Sequence, residues 1–225
     1  MKNKNIFVAC DVSTQNEILN LLELIHEDIS GIKIGLQYIS QRSPEEIKEL
    51  SKFNKPIFYD GKFFDIKNTL VESIKSLKNL NVSYATVHLL NGLDALKAAN
   101  EAAQKINLNL LGVSVLTSFD DEDLESLGFN NKVEDQVKKL IKIAMDAKLY
   151  GIICSPLEIK IIKDIAPKLK CFTPGIRMDN SNDDQKRTMN ANDAIKAGSD
   201  CLIIGRPITK GDPMQNIKNI LASLE

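Results

Sequence analysis

Short apolar runs alternate with longer amphipathic stretches along the whole chain. Eight runs are compact enough to be β-strands, at Ile6–Cys10, Gly31–Gly35, Ile57–Asp60, Ala85–His88, Leu110–Val115, Gly151–Cys154, Cys171–Thr173 and Cys201–Ile204. Most contain few polar residues, which is typical of parallel strands that are covered on both faces. The pattern therefore predicts a parallel sheet with two buried faces.

The stretches between these runs repeat apolar residues at helical spacing. Ile18, Leu21, Leu22 and Ile25, for example, lie on one face of a helix with about 3.6 residues per turn. Similar stripes occur at 70–77, 96–106, 133–144 and 217–224. A strand followed by a helix is therefore the repeating unit of the chain.

Eight such units in 225 residues, without a linker rich in Pro or Gly, predict a single-domain α/β protein, a (β/α)₈ TIM barrel over residues 1–225. An open, doubly wound sheet uses the same units and is the structural alternative. The barrel is favoured because no Gly-x-Gly-x-x-Gly motif follows the first strand. In addition, polar residues gather after the carboxyl ends of many different strands.

Composition excludes several functional classes. The chain has 29 Lys and Arg against 30 Asp and Glu, whereas a protein that binds nucleic acid through phosphate contacts normally has a basic excess. No segment approaches the ~18 apolar residues of a membrane helix, and the N-terminal apolar run is too short for a signal peptide. Four separated cysteines, with no CxxC pair and only two histidines, predict buried, reduced thiols in a cytoplasmic protein without a structural metal.

In a barrel of this kind, function belongs at the carboxyl ends of the strands. The charged residues predicted to lie there are Asp11, Lys33, Asp60, Lys62, Asp65, Arg177 and Arg206. Charges within or just after apolar strands are costly to bury unless they neutralise one another or face a ligand. These residues are therefore the first candidates for chemistry.

Residues 60–69 carry the densest group. Side chains at i and i+2 of a strand share a face, so Asp60 and Lys62 are expected to point together into the barrel mouth, beside Lys33 of the neighbouring strand. An alternating Lys–Asp–Lys array follows. A structural ion pair explains Asp60 and Lys62 equally well on charge pattern alone. For Asp65, which precedes a helical stripe, the pattern alone favours a helix N-cap.

A second signal suggests a phosphate site. Pro174-Gly-Ile-Arg177 follows strand 7, and Gly205-Arg-Pro-Ile208 follows strand 8, where barrel enzymes often bind phosphate through backbone N–H groups. Arginine adds a bidentate grip on phosphate oxygens. The long polar stretch Met178–Asn192 lies between these segments, and its Gln185 is a neutral donor suited to closing over an anion.

The chain resembles the orotidine 5′-phosphate decarboxylase family from end to end. The matching features are the strand before Asp11, the Lys33 strand, the Asp60-x-Lys62-x-x-Asp65-Ile66-x-x-Thr69 signature, His88, Leu116-Thr117-Ser118, the Pro-Gly-Ile-Arg loop, Asp184-Gln-Lys-Arg187 and Ile-Gly-Arg-Pro. The resemblance implies a carboxy-lyase that converts orotidine 5′-phosphate (OMP) to UMP in pyrimidine biosynthesis, without a cofactor.

The resemblance also implies roles for individual residues. Lys62 would protonate C6 of the pyrimidine, and Asp60 and Lys33 would complete the charge array. Asp65 and Thr69 would enter the neighbouring subunit's site, so that a homodimer would be required for full activity. The substrate-binding set would be Asp11, Lys33, Asp60, Asp65, Ile66, Thr69, Thr117, Arg177, Gln185, Gly205 and Arg206.

Two departures from the family pattern stand near the expected dimer contact. Lys67 replaces the usual proline, and Leu89-Leu90-Asn91 replaces the usual small residues after His88, which we interpret as structural. Two alternatives stay open at this point. One is a magnesium-dependent sugar-phosphate decarboxylase or aldolase of the same barrel group, and the other is a non-catalytic nucleotide-binding barrel.

Overall fold

A computed structural model describes residues 5–177 and 187–224 of the chain. Eight parallel strands pair in sequence order and close on themselves, because β1 also pairs with β8. The strands are β1 (Ile6–Ala9), β2 (Gly31–Gly35), β3 (Ile57–Phe63), β4 (Tyr84–His88), β5 (Asn109–Val113), β6 (Gly151–Ile153), β7 (Lys170–Thr173) and β8 (Cys201–Ile204). The predicted (β/α)₈ barrel is confirmed, and the alternative of an open, doubly wound sheet is wrong.

Helices cover the outside of the barrel. They are α1 (Gln15–Ile25), α2 (Leu36–Ile39), α3 (Pro44–Glu49), α4 (Lys67–Ser76), α5 (Leu93–Gln104), α6 (Asp121–Ser126), α7 (Val133–Asp146), α8 (Ile159–Ile165), α9 (Ala191–Lys196), α10 (Arg206–Thr209) and α11 (Pro213–Ser223). The five apolar stripes of the sequence correspond to α1, α4, α5, α7 and α11. No helix among the described residues has the length and apolar character that a membrane crossing requires.

The core has two parts because strand side chains alternate in direction. Outward-facing residues such as Ile6 and Val8 pack under the helices, whereas Phe7 and Ala9 face the barrel interior. Edge-to-face contacts join Phe7 to Phe58 and Phe172, with ring centroids 6.5 and 6.1 Å apart. These rings fill the interior below the carboxyl ends of the strands.

One glycine is needed for this interior packing. Gly31 is paired with Phe7, and a Cβ atom at position 31 would lie 2.2 Å from the Phe7 ring. Any larger residue would therefore displace Phe7 from the floor on which the site is built.

Candidate active site

Four charged side chains at the barrel mouth form one alternating chain of contacts. Nζ of Lys33 lies 3.2 Å from Oδ1 of Asp11 and 3.6 Å from Oδ2 of Asp60. Nζ of Lys62 lies 2.9 Å from the same Asp60 oxygen. Asp11 follows β1, Lys33 belongs to β2, and Asp60 and Lys62 belong to β3, so three neighbouring strands supply the group. The structure brings together in one array four of the seven charged residues that the sequence pattern selected at the strand ends.

The centre of this array is buried and charged. Lys33 is 7% exposed and Asp60 is 9% exposed. Burial lowers the pKa of Lys33, but Asp60 and Asp11 outweigh it and hold that pKa above 10.5. Burial likewise raises the pKa of Asp60, but Lys33, Lys62 and the Thr86 hydrogen bond hold it below 3.8. Both groups are therefore ionised at neutral pH.

Thr86 of β4 belongs to the site although the sequence pattern did not indicate it. Its fully buried hydroxyl donates to Oδ1 of Asp60 at 2.9 Å and accepts a hydrogen bond from the backbone N–H of Lys62 at 2.8 Å. One hydroxyl thus orients the carboxylate and anchors the lysine backbone. The available signal was a polar residue in the middle of an apolar strand, where a hydroxyl needs a partner.

The backbone of β3 is irregular where these residues lie. Tyr59 pairs with Ala85 and Phe63 pairs with Val87, so the register shifts across residues 60–62. Lys62 has a left-handed backbone, with φ of +46°. Such a conformation costs roughly 1–3 kcal/mol in a residue other than glycine and is concentrated at functional sites. Regular strand alternation is therefore the wrong explanation for the meeting of Asp60 and Lys62, which occurs through a bulged strand that extends past Asp60 to Phe63.

The array forms one wall of a cavity of about 750 Å³ at the barrel mouth. This volume is typical of a site that holds a small organic ligand. The predicted site residues that line it are Asp11, Lys33, Asp60, Lys62, Thr117, Arg177, Gly205 and Arg206. Apolar side chains, including Val113, Ile153 and Ile203, line the same cavity. A ligand with an apolar ring and charged ends therefore fits its chemistry.

The side of the cavity formed after β7 and β8 carries the predicted anion grip. Arg177 is 9% exposed, and its Nη1 donates to the carbonyl of Ile176 at 2.8 Å. Gly205 directly precedes the short helix α10, which begins with Arg206. Gln185 and the rest of residues 178–186 lie outside the described residues, so their part in this grip stays a prediction.

Arg187 connects the segment after β7 to the loop after β5. Its Nη2 donates to the carbonyl of Leu116 at 2.9 Å, directly before Thr117, and Nη1 pairs with Glu158. Glu158 also accepts the backbone N–H of Ser155 at 3.0 Å. Burial raises the pKa of Glu158, against the Arg187 cation. Arg187 stands in the Asp184-Gln-Lys-Arg187 motif of the sequence, but its contacts are visible only in the structure.

Asp65, Ile66 and Thr69 lie apart from the cavity of their own barrel. All three are exposed, and none lines the cavity. Asp65 is not the N-cap of α4, because that position belongs to Ile66. Its Oδ1 instead accepts the backbone N–H of Ile66 at 2.7 Å. The helix-cap interpretation of Asp65 is therefore wrong.

His88 ends β4 beside this segment. Its ring lies 5.6 Å from that of Phe64, and its Nδ1 accepts the N–H of Leu90 at 3.4 Å. Burial and the nearby Lys62 lower the pKa of His88 below 6.5, so the ring is mostly neutral at pH 7. Among the described residues, no three His, Cys, Asp or Glu side chains come together as a metal site would require.

Comparison with known proteins supports the resemblance noted in the sequence. Residues 4–220 match the model of the "Orotidine 5'-phosphate decarboxylase / HUMPS family". The chain is 38% identical over 221 residues to the orotidine 5′-phosphate decarboxylase of Wolbachia pipientis subsp. Culex pipiens (strain wPip), which covers 97% of this chain and 98% of that protein. The enzyme of the same name from Ehrlichia canis (strain Jake) is also 38% identical, with 97% of each chain covered.

A solved structure agrees with these sequence matches. The crystal structure of orotidine 5′-phosphate decarboxylase from Lactobacillus acidophilus superposes with a TM-score of 0.86 at 28% identity, covering 99% of each chain. The likeness extends over the whole barrel, including the strand ends that carry the site.

Proposed function

This chain belongs to the orotidine 5′-phosphate decarboxylase / HUMPS family, and we propose that it releases CO₂ from orotidine 5′-phosphate to form UMP, the last step of de novo pyrimidine biosynthesis. The observation that carries the proposal is the alternating chain of Asp11, Lys33, Asp60 and Lys62 on the wall of a cavity that also contains Arg177. The curated relatives bear the decarboxylase name, which supports this substrate over a sugar phosphate.

In the proposed reaction, the bond between C6 and the carboxyl carbon breaks, and its electron pair stays on C6. Lys62 transfers a proton from Nζ to C6, forming the new C–H bond, and regains a proton from solvent after UMP leaves. Its side chain lines the cavity and is 35% exposed, against 9% for Lys33, so it is the more accessible cation of the array. A fixed ammonium beside a developing carbanion acts where preorganised electrostatics are most effective.

Asp60 holds Lys62 and Lys33 in place and crowds the substrate carboxylate. Two unit charges 4 Å apart interact by about 4 kcal/mol at an effective dielectric near 20. Enzymes commonly lower barriers by ~8–23 kcal/mol, so repulsion from Asp60 is too small to account for the whole effect. Stabilisation of the carbanion by Lys62 is therefore the larger contribution in this mechanism.

Binding of the remote phosphate offsets the cost of bringing substrate into this charged site. Arg177, Gly205 and Arg206 line the cavity and would hold the phosphate together with Gln185. Thr117, at the loop after β5, would meet the edge of the pyrimidine, and Asp11 and Lys33 would bind ribose hydroxyls. No cofactor is needed for these steps.

We propose a homodimer in which Asp65 and Thr69 complete the site of the partner subunit, where with Ile66 they contact substrate. The support is geometric: the segment that carries them points away from its own cavity, and Phe64 and Ile66 beside Asp65 are 64% and 74% exposed. Apolar side chains this exposed are typical of a contact surface when they cluster. Leu90, on the neighbouring turn after β4, adds a third.

The whole chain is proposed to act as one catalytic unit, since the barrel strands extend from Ile6 to Ile204. Its four buried, unpaired cysteines suit the reducing cytoplasm, which is the proposed location.

Loss of orotate absorbance on adding purified protein to orotidine 5′-phosphate tests the proposal. We expect complete conversion to UMP, at the same rate with and without EDTA. Conversion that EDTA abolishes would contradict the cofactor-free mechanism and favour the magnesium-dependent branch of this barrel group. Tight UMP binding without CO₂ release would identify a non-catalytic nucleotide-binding barrel.

A further inference from the structure

The side chain of Asn91 bridges the ends of β3 and β4. Its Nδ2 donates to the carbonyls of Phe63 at 2.9 Å and His88 at 2.8 Å, and its Oδ1 accepts the backbone N–H of Asp65 at 3.0 Å. We propose that Asn91 is a positioning residue that fixes the backbone from Lys62 to Asp65. The catalytic consequence rests on the function proposed above.

This clamp lies where regular sheet pairing stops. Phe63, paired with Val87, is the last β3 residue in the ladder, and the register has already shifted between Tyr59 and Phe63. Beyond this point, backbone groups need other partners, because unpaired groups in a partly buried setting are costly. One amide can donate two hydrogen bonds and accept another, so Asn91 satisfies three backbone groups at once.

Asn91 and Thr86 hold the two ends of the left-handed turn at Lys62. The Thr86 hydroxyl accepts the Lys62 N–H at 2.8 Å, while Asn91 holds the carbonyl of the next residue, Phe63. The backbone of Lys62, with φ of +46°, is thus anchored on both sides. Strained conformations persist only where the surroundings enforce them. Loss of either hydrogen bond therefore allows the backbone of Lys62 to relax and its Nζ to move.

The same clamp sets the direction of Asp65. With its N–H bound to Asn91 and its Oδ1 bound to the N–H of Ile66, Asp65 is held on the exposed side of the segment. On the C-terminal side of Asp65, Lys67 forms a salt bridge with Asp94 at the start of α5, with Nζ 2.8 Å from Oδ2. The Asn91 side chain therefore positions both Lys62, which acts in its own site, and Asp65, which is proposed to act in the partner's site.

The test compares Asn91→Ala with Asn100→Ala. Asn100 is a matched control, since its amide also donates to two backbone carbonyls, those of Ala147 and Lys148, away from the cavity. A misplacement of about 1 Å can cost ~100-fold in rate. We expect kcat to fall at least about tenfold in the Asn91 variant, and to stay within about twofold in the Asn100 variant even where its melting temperature drops. Asn91→Asp keeps the size and the acceptor oxygen of the side chain but loses both donors, so its kcat should fall as in Asn91→Ala. It provides a second test if Asn91→Ala does not fold.

Amide hydrogen exchange tests the clamp independently of activity. The Asp65 amide should exchange at least about tenfold faster in Asn91→Ala and at the wild-type rate in Asn100→Ala. Unchanged exchange, or wild-type kcat with faster exchange, would overturn the positioning role. Failure of the wild-type protein to decarboxylate would instead overturn the proposed function, while the exchange result would still decide whether the clamp exists.

Discussion

Nζ of Lys62 lies 2.9 Å from Oδ2 of Asp60, although the backbone of Lys62 is left-handed and the strand between them does not pair regularly. The ion pair is therefore made by a distortion of β3 rather than by its pleat. A distortion of this kind concentrates charge at the cavity wall, and it depends on neighbours such as Thr86 that hold it in place.

Lys62→Ala should nearly abolish turnover while leaving UMP binding within about tenfold of the wild type. General acid catalysis contributes ~10²–10⁴-fold and removal of an electrostatic stabiliser costs ~10²–10³-fold, so we expect kcat to fall by more than about 10⁴-fold. Single-turnover decarboxylation and UMP titration measure the two effects. Lys138→Ala, on the surface of α7, is the control. Substantial residual activity would refute the assigned role.

Lys62→Ala and Asp65→Ala proteins should each be inactive and should recover activity when mixed. A heterodimer of the two has one complete site, because the Lys62→Ala subunit supplies Asp65 to its partner. Equal mixing therefore gives about a quarter of wild-type activity when subunits exchange freely in a twofold dimer. The double variant mixed with Lys62→Ala should stay inactive. No recovery despite proven subunit exchange would argue against a shared site.

Arg206→Ala should weaken binding of UMP far more than binding of uridine. A hydrogen bond to a charged group contributes ~1.5–3 kcal/mol, which corresponds to a loss of roughly 10- to 100-fold for UMP. Uridine has no phosphate, so its affinity should change by less than about twofold. Calorimetric titration of both ligands makes the comparison, and equal losses would place the phosphate elsewhere.

Thr86→Val should lower both kcat and stability, because it removes the hydroxyl and nearly conserves the shape. Asp60 loses a donor and the Lys62 N–H loses its acceptor, at a cost of ~1–3 kcal/mol for each buried group left without a partner. We expect kcat to fall by about 10- to 100-fold. Thr86→Ser keeps the hydroxyl and should retain most of the activity. If valine and serine lower kcat equally, packing rather than the hydrogen bonds explains the effect.

The stability difference between wild type and Asp60→Asn should be constant across neutral pH. The lowered pKa of Asp60 means that its stabilisation is present above 3.8 and is lost as pH falls through its folded-state pKa. The raised pKa of Lys33 means that its stabilisation is present below 10.5 and is lost as pH rises through its folded-state pKa. Urea unfolding between about pH 3 and 11 measures the unfolding free energies of both proteins. The difference between them should become smaller only at the two ends of this pH range. A smaller difference in unfolding free energy between about pH 6 and 8 would show that Asp60 or Lys33 titrates there, contrary to this prediction.

Not every helix was equally visible in the sequence. The stripes of α1 and α7 were clear because these helices run for several turns, with one face against the barrel. The helices α2, α3 and α9 have four to six residues each, too few to repeat an apolar period. Side-chain caps begin α3 and α9, where the Ser43 hydroxyl accepts the N–H of Glu46 and the Asn190 side-chain carbonyl accepts the N–H of Asp193. Within the described part of the chain, no side-chain hydrogen bond caps α2, which packs through the buried Tyr38.

The site was predictable to a similar extent. Lys33 and Asp60 stood out because charges in apolar strands require partners, and their positions at strand ends followed from the barrel. The role of Thr86 did not stand out, because threonine is also a good strand former and the sequence does not tell which partner its hydroxyl meets. The position of Asp65 outside its own cavity was likewise not predictable, since it depends on β3 extending three residues past Asp60.

By itself, the order of apolar and polar residues determined eight strand–helix units and the placement of opposed charges at the strand ends. Both follow from local periodicity, which each segment carries within itself. Closure into a barrel was favoured by the sequence but was decided by the pairing of β1 with β8, because an open sheet uses the same units. Only the tertiary structure decided that β3 bulges at Lys62, that the Thr86 hydroxyl holds Asp60, and that Asn91 clamps Asp65 away from its own cavity. Such contacts join residues about 25 positions apart in sequence, and the register between two strands is set by how both pack in the closed sheet.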